Sequence, residues 1–246
     1  MNDTAPNGTS PGFRYASAEL DSMSEAKNYY RWIASRFAPH LGSDVVEVGA
    51  GIGTFSQHLL HAAPHARLTL VEPAENNVIV LRERMAGETR VCVRHGYLDA
   101  DAPESGASSV VAVNVLEHVE DDDAFLRAAR RVLAPGGRLL LFVPALPAIY
   151  GTLDEAFEHF RRYTRTALRH KVTGAGFGVD ELHYVNLPGV LAWWASGVLL
   201  RKRTVTPRDA RLYDRWAIPL IRAVESRWHP PLGQSLLLVA TRTEAP

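Results

Sequence analysis

At 246 residues, 46% of them apolar, the chain is long enough for one domain with a sizeable core. Its 27 basic and 27 acidic residues cancel, so bulk charge gives no nucleic-acid footprint, and no apolar run is long enough to span a bilayer. Cys92 is the only cysteine, which excludes an internal disulfide framework and agrees with a reducing cytoplasm; its apolar flanks predict a buried thiol.

Residues 1–20 lack periodicity and carry neither a basic start nor an apolar core, so a flexible arm is expected there and a single domain over 21–246. Ser22-x-x-Glu25 has the form of a capping box, and Ala26, Tyr29, Tyr30, Ile33 and Phe37 follow at helical spacing until Pro39 and Gly42. Tyr29, Tyr30 and Trp32 read either as core or as cover over a bound cofactor. Val45, Val46 and Val48 predict a buried strand that stops at Gly49-Ala50-Gly51-Ile52-Gly53, where a helix through Phe55, Leu59 and Leu60 begins. Glycines at a strand-to-helix turn let the backbone approach a ligand, and the helix aims its first N–H groups at it; turn geometry alone would use glycine too. His58, His61 and His65 form no complete ligand set and read as a solvated face.

A second strand over 68–71 ends at Glu72-Pro73, about twenty residues beyond the glycines. An acid at that spacing accepts hydrogen bonds from a ribose diol or caps the next helix. A helix over 78–85 and a third strand over 91–93 lead to Gly96-Tyr97-Leu98-Asp99. A fourth strand, 109–113, runs into Asn114-Val115-Leu116-Glu117-His118-Val119; Asp121 to Asp123 cap a helix that Pro135-Gly136-Gly137 ends, and a fifth strand covers 138–143. Residues 146–164 carry no clear period. A helix over 165–173, a sixth strand over 179–186 and a last strand over 234–241 complete the chain, with a helical insertion over 187–233 before the last strand. This alternation predicts an α/β fold, a mostly parallel sheet covered on both faces, with ligands outside the strands' carboxyl ends. The insertion reads as a lid, as a dimer surface, or, through Trp193, Trp194 and Arg201-Lys202-Arg203 in its 187–203 helix, as a peripheral membrane or lipid contact.

Four of these segments together resemble the class I S-adenosylmethionine-dependent methyltransferases: 47–53, Glu72, the Asn114 to Val119 segment in its ubiquinone-biosynthetic form, and Leu133-Ala134-Pro135-Gly136-Gly137-Arg138-Leu139. Asn28-Tyr29-Tyr30-Arg31-Trp32 and His159-Phe160-Arg161-Arg162-Tyr163-Thr164 are similar to a bacterial small-molecule subgroup. The resemblance implies a seven-stranded doubly wound sheet with the last strand antiparallel, and S-adenosyl-L-methionine as cofactor. It implies that Glu47 orients the methionyl amino group, that Gly49, Gly51 and Gly53 pass under the cofactor, that Glu72 holds the ribose hydroxyls, that Leu98 borders adenine, and that Asn114 flanks the methionyl portion; Pro73 and Tyr30 are the further candidate cofactor contacts. Tyr97 stands where many relatives have an acid, which shifts adenine recognition to Asp99 or to backbone. Because Asn114 replaces an acid found in metal-using relatives, no metal is expected.

The implied reaction is methyl transfer to a small molecule through an oxygen or nitrogen nucleophile, the acceptor being a specialised metabolite or a lipid- or sugar-linked compound. His159 and His118 are the candidate bases. Tyr150, Arg162 and Tyr163 are the candidate substrate contacts, with Arg162 an anion clamp. Two other classes compete: a nicotinamide-dependent oxidoreductase, which would need glycine where Thr54 stands, and a noncatalytic cofactor-binding or membrane-docking protein. No nucleic-acid partner is expected, and an oligomer is open.

Overall fold

A computed structural model describes residues 25–98 and 106–244. Seven strands form one sheet in the order β3-β2-β1-β4-β5-β7-β6: β1 (Asp44–Val48), β2 (Arg67–Glu72), β3 (Val91–His95), β4 (Ala107–Val113), β5 (Leu133–Pro144), β6 (Phe177–Val185) and β7 (Ser235–Arg242). The first five pair in parallel, and β7 lies between β5 and β6, antiparallel to both. The helices are α1 (Lys27–Phe37), α2 (Thr54–Ala62), α3 (Glu75–Met85), α4 (Asp122–Val132), α5 (Thr152–Ala156), α6 (Arg165–Gly174), α7 (Leu187–Trp193) and α8 (Pro207–Glu225). A π-helical turn, Trp194–Leu199, continues α7.

Alternation along the strands divides the core. Val46 and Val48 face one layer with Leu139, Leu141 and Phe125, whereas Val45 faces the other with Tyr29, Phe37, Leu59 and Ile218. Two apolar layers stacked on one sheet fix the register, since a one-residue slip would turn every side chain to the wrong side. The expected doubly wound sheet and the helical insertion are both present.

Some local expectations change. Cys92 is exposed, not buried: β3 is the edge strand, so one of its faces has no covering layer, and apolar neighbours in sequence did not reveal that. Helix α1 begins at Lys27 with no side-chain cap from Ala26; Ser22 of the expected capping box, residues 1–20 and Asp99 lie outside the described residues. Strand β5 starts at Leu133 and includes the Pro135-Gly136-Gly137 turn that the sequence places before it. The unassigned stretch 146–164 contains α5 and a bridge from Tyr163 to Ala145.

Candidate active site

The glycine turn closes off β1. Gly49, Gly51 and Gly53 have φ of 70°, 56° and 85°, a region that side chains disfavour. The Gly49 and Ala50 N–H groups donate to Val71 O at 2.8 and 3.2 Å. A Cβ on Gly49 would lie 2.5 Å from Val115 Cγ2, and one on Gly53 2.8 Å from Leu81 Cδ1. The turn is thereby packed against the segment after β4 on one side and α3 on the other.

Two buried acids flank it. Glu72 accepts from Gly51 N at 2.8 Å through Oε2, and from Ala74 N at 3.0 Å and Asn77 Nδ2 at 3.2 Å through Oε1. It therefore fixes the glycine backbone and the start of α3, while Oε2 keeps a lone pair for a ribose hydroxyl. Glu47 lies in β1 with Oε2 buried and without a hydrogen-bond partner, and burial pushes its pKa up to about 8. A buried, unsatisfied carboxylate oxygen costs stability unless a cation or donor arrives, which fits the ammonium group of a methionyl cofactor. Tyr30 packs over the start of α2, its ring 5.8 Å from Phe55 and 6.3 Å from His58. The Pro73 carbonyl accepts from His95 Nε2 at 3.0 Å, and Leu98 packs against the core at the end of β3.

A second site lies beyond the carboxyl ends of β4 and β5. Asn114 holds a left-handed conformation, φ 53°, which asparagine tolerates. Asn114, Glu117 and His159 line a cavity of about 240 Å³ whose other walls include Leu153, Phe157, Trp193 and Ile218. Backbone bonds from Phe160 N to Glu117 O (2.8 Å) and from Tyr163 N to Pro144 O (2.9 Å) bring the 158–163 segment over the strand ends.

The organising group there is Asp154, which no motif or period in the sequence singles out. Its carboxylate accepts from His159 Nδ1 at 2.9 Å, Arg162 Nη1 at 2.8 Å, Trp193 Nε1 at 2.9 Å and Gly151 N at 3.0 Å. Burial alone would raise its pKa, but the His159 hydrogen bond, the Arg162 charge and the Trp193 donor outweigh that and hold it below the usual carboxylate range. With Asp154 ionised, His159 Nδ1 carries its proton, so the neutral ring presents its lone pair at Nε2. That atom is buried without a hydrogen-bond partner.

The His118 ring stands edge-on to that of His159, centroids 4.8 Å apart; burial first, and then the neighbouring His159, lower its pKa to about 3. Glu117, His118 and His159 each present a ligating atom within 4.8 Å of the others, a grouping that could accept a divalent cation.

The candidate substrate contacts separate. Arg162 is buried and directs its guanidinium to Asp154, to Ala145 O at 2.6 Å and to Gln234 O at 3.0 Å. Tyr163 is buried, donating to Asp122 Oδ2 at 2.9 Å and Leu116 O at 3.2 Å. Tyr150 donates to the His159 carbonyl at 2.7 Å. All three brace the segment that carries His159, and the cavity wall is made instead by α7, α8, Phe157 and Leu153. Only the amphipathic character of the insertion could have pointed to that wall.

A seven-stranded sheet ending in an antiparallel strand, with a glycine turn and an acid at the ends of β1 and β2, defines a class I methyltransferase fold. A family profile described as a methyltransferase domain matches residues 46–139. The ubiquinone biosynthesis O-methyltransferase of Xanthomonas oryzae pv. oryzae (strain PXO99A) is 33% identical over 185 residues, covering 71% of this chain and 68% of that protein. The solved Haemonchus contortus phosphoethanolamine N-methyltransferase 2, in complex with S-adenosyl-L-methionine, aligns with a TM-score of 0.60 at 19% identity, covering 88% of this chain and 53% of that one. The chain belongs to the S-adenosylmethionine-dependent methyltransferase family. It spans 33%, 52% and 57% of the length of further relatives from Synechococcus, Streptomyces fradiae and Mycolicibacterium smegmatis. No helix among the described residues is long and apolar enough to cross a membrane.

Proposed function

We propose that this chain transfers a methyl group from S-adenosylmethionine to a compact, largely apolar small molecule through an oxygen or nitrogen nucleophile, with His159 as general base. The reading takes residues 21–246 as one domain in a reducing cytoplasm, with the 187–233 insertion as the lid over the acceptor. The observation that carries it is the buried, unpartnered Nε2 of His159 at the cavity wall, backed by ionised Asp154.

Glu47, Glu72 and the Gly49–Gly53 backbone would hold the cofactor, and Asn114 stands between the two halves of the site. When bound, the cofactor supplies a sulfonium-activated methyl group. The protein aligns the nucleophile with that carbon, keeps water out, and takes the proton on His159 Nε2. Asp154 then stabilises the imidazolium, while Arg162 keeps Asp154 ionised. The aromatic and aliphatic wall, with Glu117 at its polar end, favours a neutral or cationic acceptor over an anion. A volume of about 240 Å³ is near the lower end of ligand pockets, roughly 300 Å³ and above, and so favours a small one.

A second reading rests on the Glu117–His118–His159 grouping: a divalent cation held there would lower the pKa of the acceptor hydroxyl in place of a base.

One experiment addresses both. After the acceptor is found by transfer of labelled methyl in cell extracts, turnover is measured for His159→Gln and Asp154→Asn, with and without a chelator. A lost general base lowers kcat about 10²–10⁴-fold in His159→Gln, with a smaller loss in Asp154→Asn and no effect of the chelator. Wild-type rates across the pH range in His159→Gln would sink the base assignment. Loss on chelation, restored by one divalent ion, would give the role to the metal.

A further inference from the structure

The two helices that wall the acceptor cavity turn a second apolar surface outward. Ten of the fourteen large exposed apolar side chains among the described residues fall between Leu191 and Leu232, so this surface is concentrated, unlike the scattered exposure of ordinary proteins.

Helix α8 has three stripes instead of two. Asp214, Ile218, Ile221 and Glu225 face inward and are buried. Leu212, Trp216, Leu220 and Val224, each four residues from the last, face outward, with Trp216 and Leu220 both 67% exposed. At 100° per residue, Arg208, Arg211, Arg215 and Arg222 fall on a third stripe bordering the apolar one. The Arg215 guanidinium lies 5.4 Å from the centre of the Trp216 ring.

The charge is as uneven as the hydrophobicity. The whole chain carries equal numbers of acidic and basic residues, but the insertion holds eight Lys or Arg against three acids. All eight cations are exposed, while two of the acids, Asp214 and Glu225, are buried. A cationic rim on an apolar face containing tryptophans is complementary to the headgroups and upper acyl region of an anionic bilayer. A second copy of the same face would set cations against cations, which disfavours self-association as its cover.

We propose that the outer face of α8, continued by the Trp194–Leu199 turn and the basic 201–203 run, docks the protein on an anionic lipid surface. The apolar stripe lies in the interface and the arginine stripe meets phosphates. The inner faces of the same helices line the cavity, so docking places the acceptor site next to the bilayer. The proposal does not depend on which residue acts as base.

The test is co-sedimentation of the full chain with vesicles of phosphatidylcholine alone and with one third phosphatidylglycerol. Binding is expected to the anionic vesicles, to weaken with added salt, and to be at least about tenfold weaker to phosphatidylcholine alone. Trp216→Ser combined with Leu220→Ser lowers binding at least about tenfold. Arg208→Gln, Arg215→Gln and Arg222→Gln each lower it about fivefold. Unchanged S-adenosylhomocysteine affinity shows that these variants are folded. No binding to either vesicle, or equal binding to both, would overturn the proposal. So would a dimer in sedimentation velocity that the Trp216→Ser, Leu220→Ser variant dissociates, which would give the face to a second copy.

Discussion

Glu47 shows how a single residue can oppose folding while the group proposed to pair with it is absent. Burial raises its pKa to about 8, against 4.5 for the ordinary side chain. The native state thus holds a proton that the unfolded chain releases, and the favourable contribution is complete below about pH 4.5 and lost as pH rises towards 8. Glu47→Gln removes that loss. In urea unfolding without cofactor, the variant is expected to be more stable than wild type by about 1–3 kcal/mol at pH 8.5, with the gap narrowing towards pH 5, while its S-adenosylmethionine affinity falls. A variant less stable than wild type at pH 8.5 would mean that the carboxylate already has a partner in the empty protein. The position of Glu47 was legible because it adjoins the glycine turn. Asp154 was not, because it lies in the five-residue α5, too short to show a period, and its partners His159, Arg162 and Trp193 meet it only in the folded chain.

At the scale of elements, α8 works as a double clasp. Asp214 accepts from the Asn28 and Tyr29 N–H groups at 3.0 and 2.8 Å, supplying the cap that Ala26 cannot give α1. Eleven residues on, Glu225 accepts from the Asn186 and Leu187 N–H groups at 2.9 and 3.0 Å, at the start of α7. Each carboxylate satisfies orphan N–H groups at a positive helix end. Asp214→Ala is therefore expected to cost about 1–2 kcal/mol in thermal melts and to raise KM for the acceptor, since α1 and α8 both wall the cavity. Glu225→Ala acts on a different helix, so its cost should add to that of Asp214→Ala within about 0.5 kcal/mol. Strong non-additivity would mean that the insertion opens as one unit. Strand and helix types along the sheet followed from periodicity, because each element repeats its burial pattern several times. Edge position did not: β3 and β1 look alike locally, and Cys92 is exposed because the face of β3 that it shares with Arg94 is left uncovered at the sheet edge.

Across the whole molecule, the sheet separates the two halves of the proposed site. The proposed cofactor contacts come from the ends of β1 and β2, and the acceptor cavity from the ends of β4 and β5 with the insertion. That the last strand runs antiparallel cannot be read from local pattern; it followed from family resemblance, and the order of the strands came only with the structure. The insertion's inner wall was not legible, because a helix with apolar residues on two sides does not say which side faces the sheet. The separation predicts independent failure. Calorimetry is expected to give His159→Gln an S-adenosylhomocysteine affinity within about twofold of wild type, because its hydrogen bond goes to Asp154 and not to Glu47, Glu72 or the glycine turn. Glu72→Gln should lose at least about tenfold, because both carboxylate oxygens face N–H donors, from Gly51 on one and from Ala74 and Asn77 on the other, and the amide NH2 would meet one of them donor to donor and displace the turn. At a ligand concentration of about 100 Kd, wild type and His159→Gln gain about 2.7 kcal/mol against unfolding, whereas Glu72→Gln at the same concentration gains less. Equal loss of affinity in both variants would show that the cavity and the glycine turn close as one site, with Asn114 and Val115 as the link between them.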